Sequence, residues 1–218
     1  MAYARRVNGD AGPRAEGFTA KGARTRAKIV AAAAALMYER GVTATTMEDI
    51  RASAGVSGSQ LSHYFTDKRD LVRAVVAYQA ALIVGAQQEE DFGTPDGVQA
   101  WRDHVMRDAK AQGGSRLGSI GAQVAESDPL AREQAGAGFQ KWAEVMAEGL
   151  QTLYDHDGLP DGVSPEDMAV TLLAALQGGL LLAQVQRDLQ PLRRAIDTLL
   201  SLATGEAAPG GAASPGSG

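Results

Sequence analysis

The chain has no cysteine among its 218 residues. That excludes disulfides, thiolate metal sites and cysteine nucleophiles. Strand signals are close to absent as well. No stretch alternates apolar and polar residues over a strand length with β-branched enrichment. There is no glycine-rich phosphate loop, no nucleophile elbow and no His-Glu-x-x-His. His104 and Asp108 stand four apart on one helix face, but two ligands do not make a metal site. Asp155-His156-Asp157 falls in a turn and reads as solvated. No cofactor and no enzymatic activity are expected. The front of the chain, "MAYARRVNGDAGPRAEG", has no apolar stretch after its arginines. It does not read as a secretory signal, and a cytoplasmic protein is expected.

The net charge is −5, which argues against a general nucleic-acid binder. Its distribution is uneven. Residues 1–80 hold 12 Lys/Arg against 7 Asp/Glu, and residues 81–218 hold 9 against 19. A basic front on an acidic body is the asymmetry expected when only the front meets a polyanion.

What remains is helical, so the fold class is all-α, with about nine helices. A first helix over about Ala23–Arg40 places Ile29, Ala33, Leu36 and Met37 on one face and stops at Gly41. Thr45 and Glu48 have capping-box spacing for a short second helix ending near Ala54. Ser57 and Gln60 repeat that spacing for a third, and Asp67 caps a fourth, from Lys68 to about Gln88. Further helices are expected over about 97–112, 117–126, 130–154, 165–188 and 191–203, with Ser127 or Asp128 capping before Pro129. Residues 1–21 read as a disordered basic arm and 204–218 as a disordered tail.

The stretch "GVSGSQLSHYF" (residues 55–65) is short, small at its front and apolar behind. Helices two and three are joined by a turn of about three residues containing Gly55, with the small Ala52 where the helices cross. That is a helix-turn-helix, whose second helix enters the major groove of DNA by its N-terminal end. The groove is about 12 Å wide, and small leading residues let the backbone approach the base edges. Ser57 and Ser59 can donate to phosphate. Thr45 and Thr46, and Lys68, stand at helix N-termini, which favour phosphate. Gln60 either closes its helix cap or reads adenine bidentately. Phe65 reads as core, while Arg24, Arg26 and Lys28 lie near the DNA backbone or on a solvated face. Arg5, Arg6 and Arg14 of the arm have the reach for a minor groove.

Residues 25–76, with "TTMEDI", "AGVS", "LSHYF" and "DKRDL", resemble the N-terminal domain of TetR-type transcriptional repressors. "LGSIGAQVAESDPLAREQ" and "ALQGGLLLAQVQRD" are similar to the LmrA/YxaF-type branch. The resemblance implies a DNA-binding domain over 22–68 and a ligand-binding and dimerisation domain over 69–203. It places Thr46, Ser57, His63, Tyr64 and Lys68 at positions that touch phosphates or bases. Within the recognition helix Gly58, Ser59, Gln60 and Ser62 depart from the usual residues, which leaves the operator sequence open. The partners implied are a pseudo-palindromic double-stranded operator, a small apolar or aromatic effector and a second copy of the chain, with no membrane.

Trp101, His104, Phe139, Trp142, Met146 and Gln177 place aromatic, soft and polar groups on the central helices, as a ligand pocket requires; each also fits a plain core. Residues 168–185, "MAVTLLAALQGGLLLAQV", nearly reach the length of a membrane span. Their internal glutamines and Gly178-Gly179 suit a helix buried on two sides, one side against a second subunit. The expected interface draws on 164–188 and 190–203, with Leu172, Leu176, Gly179, Leu180, Ala183, Leu192, Ile196 and Leu199.

Overall fold

The computed structural model describes residues 18–112, 114–157 and 162–204. The tail and most of the expected arm, with Arg5, Arg6 and Arg14, lie outside the described residues, as does part of the turn after His156. Among the described residues there are nine helices and no strand. They are α1 Ala20–Arg40, α2 Met47–Ala54, α3 Gly58–Tyr64, α4 Lys68–Gln87, α5 Pro95–Gln112, α6 Arg116–Val124, α7 Pro129–Asp157, α8 Pro165–Gln186 and α9 Gln190–Thr204.

The helices pack as two compact units, neither continuous in sequence. Of the described residues, one unit holds those through Gly85 together with Arg116–Gln140; the other holds those of 86–115 together with those from Lys141 onward. The expected body over 69–203 is therefore divided, because α6 shares the core of the first three helices. Ile29, Ala33 and Met37 of α1, Ile50 of α2, Leu71 and Val75 of α4, and Leu117, Ile120 and Val124 of α6 belong to one buried cluster. A polar tie joins the same elements. The Gln123 side-chain oxygen accepts from the Val42 backbone N–H at 2.7 Å, just beyond the end of α1.

Local signals explain the element ends. α1 starts three residues before the expected position, because Thr19 caps it by accepting from Gly22 N–H at 3.2 Å. It stops at Gly41, whose φ of 86° suits a residue without a Cβ. α2 begins one residue later than Thr45-Glu48 spacing predicts. The capping box is Thr46 with Asp49, because Thr45 is drawn inside, where its hydroxyl donates to Gly41 O at 2.8 Å. The small buried residue of α2 is Ala54, and Ala52 is exposed, so the expected crossing contact at Ala52 is not made. Gly55 closes α2 in a left-handed conformation at φ 58°.

Asp128, not Ser127, caps α7. Its carboxylate is buried, accepts from the N–H groups of Leu130 and Ala131, and receives Arg73 Nε at 3.1 and 3.0 Å. Arg69 adds a longer ion pair at 3.8 Å. Burial pushes this carboxyl upward, but hydrogen bonds from Arg73 and Ala131 and the charges of Arg73 and Arg69 outweigh it, so it titrates below the usual range.

In the second unit α8 packs along α9 so closely that a Cβ on Gly179 would meet Leu192 Cα at 2.8 Å. Leu172, Leu176 and Ala183 of α8 and Leu192, Ile196 and Leu200 of α9 are all buried. Arg102 of α5 grips Asp197 of α9 with a two-bond fork at 2.7 and 3.0 Å. The hydrogen bonds from Asp197 and Asp103 push the guanidinium still further toward its charged form.

Asp128→Asn should cost about 2–3 kcal/mol at neutral pH, read by urea unfolding, since it weakens a buried charged hydrogen-bond set. The folded carboxyl titrates below its unfolded value of about 3.9. Its contribution is thus complete above that value and is lost as pH falls through the folded one. The gap between wild type and the Asn variant should narrow below about pH 4; a gap that stays constant into acid would contradict the ion-pair account.

Candidate nucleic-acid interface

Seven residues form α3, too few to hold a helix in water unaided. Two devices hold it. The first is a complete capping box: Ser57 Oγ accepts from Gln60 N–H at 3.1 Å, and Gln60 Oε1 accepts from Ser57 N–H at 2.9 Å. The second is apolar. Leu61 and Phe65 are buried in the shared cluster, as the sequence predicts for Phe65. The guanidinium of Arg26 lies over the Phe65 ring, 5.2 Å from its centroid.

The opposite side of α3 is open. Ser57, Gly58, Ser59, Gln60, Ser62 and His63 are exposed, and a Cβ on Gly58 would have no atom within 4 Å. The hydroxyls are engaged locally: Ser57 and Ser59 lie 3.0 Å apart, and Ser62 donates to Gly58 O at 3.0 Å. All three are small and exposed, so they leave room in front of the helix.

The cap orients Gln60. Ser57 N–H is a donor, so the amide must present its oxygen there. The Nε2 group remains as two donors. The oxygen keeps its second lone pair, so the cap fixes how the amide is turned without using up either end. A capped Gln60 can donate to guanine O6 or N7, thymine O4 or a phosphate oxygen, and reads adenine bidentately where N6 reaches that second lone pair.

The other expected contacts are distributed differently. Thr45 is buried, so it offers nothing to DNA; this corrects the expectation from sequence. Thr46 is exposed, but its hydroxyl donates to Asp49 Oδ2 at 2.6 Å. Hydrogen bonds from Thr46 side chain and backbone, with the Arg40 charge, hold Asp49 below the usual carboxyl range. Glu48 is held down by Arg51 in the same way. The first turn of α2 thus carries two ionised carboxylates, which oppose a phosphate there. Lys68 is half-buried and donates to Thr43 O at 3.2 Å. Tyr64 is half-buried, and its hydroxyl lies 3.3 Å from where a Cβ on Gly22 would stand, so it points to the start of α1.

Phe18 falls within the stretch expected as arm, yet its ring packs on Tyr64 at 5.1 Å and on His63 at 6.0 Å between centroids. A local signal marks it: an apolar residue directly before an N-cap is the place of a hydrophobic staple.

The expected ligand residues do not fall in one unit. Phe139 belongs to the first; Trp101, His104, Trp142, Met146 and Gln177 belong to the second. Trp101 is buried against Phe92, and its N–H donates to Gln87 Oε1 at 3.1 Å, which is a satisfied core position. His104 is clasped by Glu90 at 2.5 Å, with Asp108 at 3.6 Å. Trp142 and Met146 are buried. Gln177 Nε2 is buried and has no hydrogen-bond partner among the described residues.

The expected interface residues divide too. Leu172, Leu176, Gly179, Ala183, Leu192 and Ile196 are buried within the chain, which removes them from any contact with a second copy, while Leu180 and Leu199 are half-buried. An exposed apolar stripe lies instead on the other side of α8: Val170 at 57%, Leu181 at 61% and Val185 at 72% exposure, in line with Ala174 and Gly178. α8 is the one described helix long and apolar enough, by length and composition, to cross a membrane. Of that apolar stretch, 33% is buried inside the structure.

Comparison with known proteins agrees with this layout. The model for bacterial regulatory proteins of the tetR family matches residues 29–75. The model for the C-terminal domain of LmrA/YxaF-like transcriptional regulators matches residues 96–198. An HTH-type transcriptional regulator of Mycobacterium tuberculosis is 26% identical over 178 residues, covering 77% of this chain and 88% of the relative. Among solved structures, reduced E. coli NemR superposes with a TM-score of 0.72 at 20% identity, over 82% of this chain and 96% of NemR. The SmeT–triclosan complex superposes with a TM-score of 0.62 at 23% identity, over 89% of this chain and 96% of SmeT. Such distant structural likeness speaks for the fold, and the two family models together cover both of its functional parts. The chain is a TetR-family transcriptional regulator whose C-terminal domain is of the LmrA/YxaF-like kind.

Proposed function

We propose that the protein is a homodimeric repressor that seats two copies of α3 in successive major grooves of a pseudo-palindromic operator and is released by a small effector. The observation that carries this reading is the open face of α3. A helix capped and anchored on one side presents only small or exposed residues on the other. That arrangement has little value for a core and suits close approach to base edges. Action on DNA in turn implies a cytoplasmic site of work.

Dimerisation through α8 explains its outer stripe. Val170, Ala174, Gly178, Leu181 and Val185 follow one another at steps of four, four, three and four residues, so they share one helix side. A Cβ added at Gly178 would meet no atom within 4 Å, which leaves room for a second helix at close range. An exposed apolar row of this kind favours an interface over open water.

Effector binding has two supports. The SmeT structure is a complex with triclosan, an aromatic small molecule. In this chain the buried Nε2 of Gln177 lacks a hydrogen-bond partner among the described residues, and a ligand acceptor would satisfy it. A ligand can shift the regulator between states only by the difference in its affinity for them.

Gln60→Glu keeps an oxygen for the Ser57 cap and removes both donors. It should leave the melting temperature nearly unchanged while altering base preference at one symmetric position in a binding-site selection. A uniform loss across sequences would demote Gln60 to a cap near phosphate. Leu181→Glu should give monomers by light scattering, with operator affinity lost at least tenfold, about 1.4 kcal/mol or more. A dimer that persists would move the interface away from α8.

A further inference from the structure

The first unit carries many cations, and most are already engaged. Arg40 pairs with Asp49, Arg51 with Glu48, and Arg69 and Arg73 with Asp128. Arg26 covers Phe65 and Lys68 donates to Thr43 O. Lys21, Arg24 and Lys28 of α1 are different. All three are exposed, none makes an ion pair among the described residues, and the first turn of α1 holds no acid. Spacings of three and four residues put them on one side of the helix over roughly 10 Å.

Both ends of this row lie against the recognition element. Phe18 packs on His63 and Tyr64 at the end of α3, and the Tyr64 hydroxyl sits over Gly22. Lys28 Nζ lies 3.6 Å from where a Cβ on Gly55 would stand, in the turn that leads into α3. The front of α1 therefore meets the recognition element at two places, its start against the end of α3 and Lys28 against the turn before α3. A helix seated in the major groove is flanked by a phosphate strand, and α1 supplies a row of uncompensated positive charge beside it. The acidic first turn of α2 cannot take that role.

We propose that Lys21, Arg24 and Lys28 form a phosphate-gripping ridge that holds the DNA strand beside the groove entered by α3. The proposal rests on the reading of α3 as the DNA reader. The ridge supplies affinity without sequence preference.

The test uses the full chain with its selected operator and with unrelated duplex DNA. In the triple variant Lys21→Gln, Arg24→Gln, Lys28→Gln, the slope of log K against log salt should flatten by about 2.7 per bound head, at roughly 0.9 for each phosphate contact removed. Affinity should fall by a similar factor for both duplexes, and the selected motif should not change. The charge-keeping variant Lys21→Arg, Arg24→Lys, Lys28→Arg should retain the wild-type slope. Gln, Lys and Arg have near-equal helix propensity, so both variants should melt as wild type does. An unchanged slope in the Gln variant, or a changed motif, overturns the ridge while leaving α3 as the reader. A wild-type protein that binds no duplex selectively overturns the reading of α3 itself.

Discussion

A recognition helix of seven residues cannot stabilise itself, and much of the first unit follows from that constraint. Nucleating a helix costs more than one or two turns return, so the ends and the back of α3 must be held from outside. Ser57 and Gln60 close the front, Leu61 and Phe65 fix the back, and Phe18 lies against the end. These tasks consume five positions in or beside a very short element. Of the remaining ones, Gly58, Ser59, Ser62 and His63 stay exposed and Tyr64 is half-buried. The composition that looks poor for a helix is the composition left once the holding residues are removed.

Charge counting needs the same correction. By sequence the front of the chain is basic, and every lysine and arginine contributes equally to that statement. The structure discounts most of them. Arg73 serves a buried carboxylate that also caps α7, and Arg51 and Arg40 offset acids in the first three positions of α2. What remains is concentrated on α1, next to the recognition element. A modest net charge then suffices for a polyanion surface, because what matters is the potential at one face and not the sum over the chain.

The class, the number of helices and most boundaries were legible, since caps and apolar spacing are local properties. Ser57-Gln60 is read directly as a helix start and a further helix is expected from 165, and both starts are found. Thr45 and Thr46 show where this fails. Both threonines have an acid three residues on, so local spacing offers two registers. The choice is made by the Gly41 carbonyl, which takes the Thr45 hydroxyl and draws that residue inside. The place of α6 was hidden for a related reason. Leu117, Ile120 and Val124 mark it as amphipathic, but periodicity names a face without naming what the face meets. Trp101 illustrates the converse. Its type and spacing suit a pocket and a core equally, and its partner Gln87 lies fourteen residues away in sequence.

The paired glycines of α8 carry the same lesson to the candidate interface. Sequence gives them one joint purpose, close approach of a partner helix. Adjacent residues on a helix point about 100° apart, so they cannot serve one contact equally. Gly179 faces α9, where Leu192 leaves no room for a methyl group, and Gly178 faces outward into open space. An apolar helix read as buried on two sides thus divides into two stripes with separate consequences. Changes on the Leu172–Leu176–Gly179–Ala183 side act on folding of the second unit. Changes on the Val170–Gly178–Leu181–Val185 side leave that packing intact and act on whatever covers the outer stripe, for which a second copy is the proposed partner. Stability and self-association are therefore separable properties of a single helix, and substitutions one residue apart distinguish them.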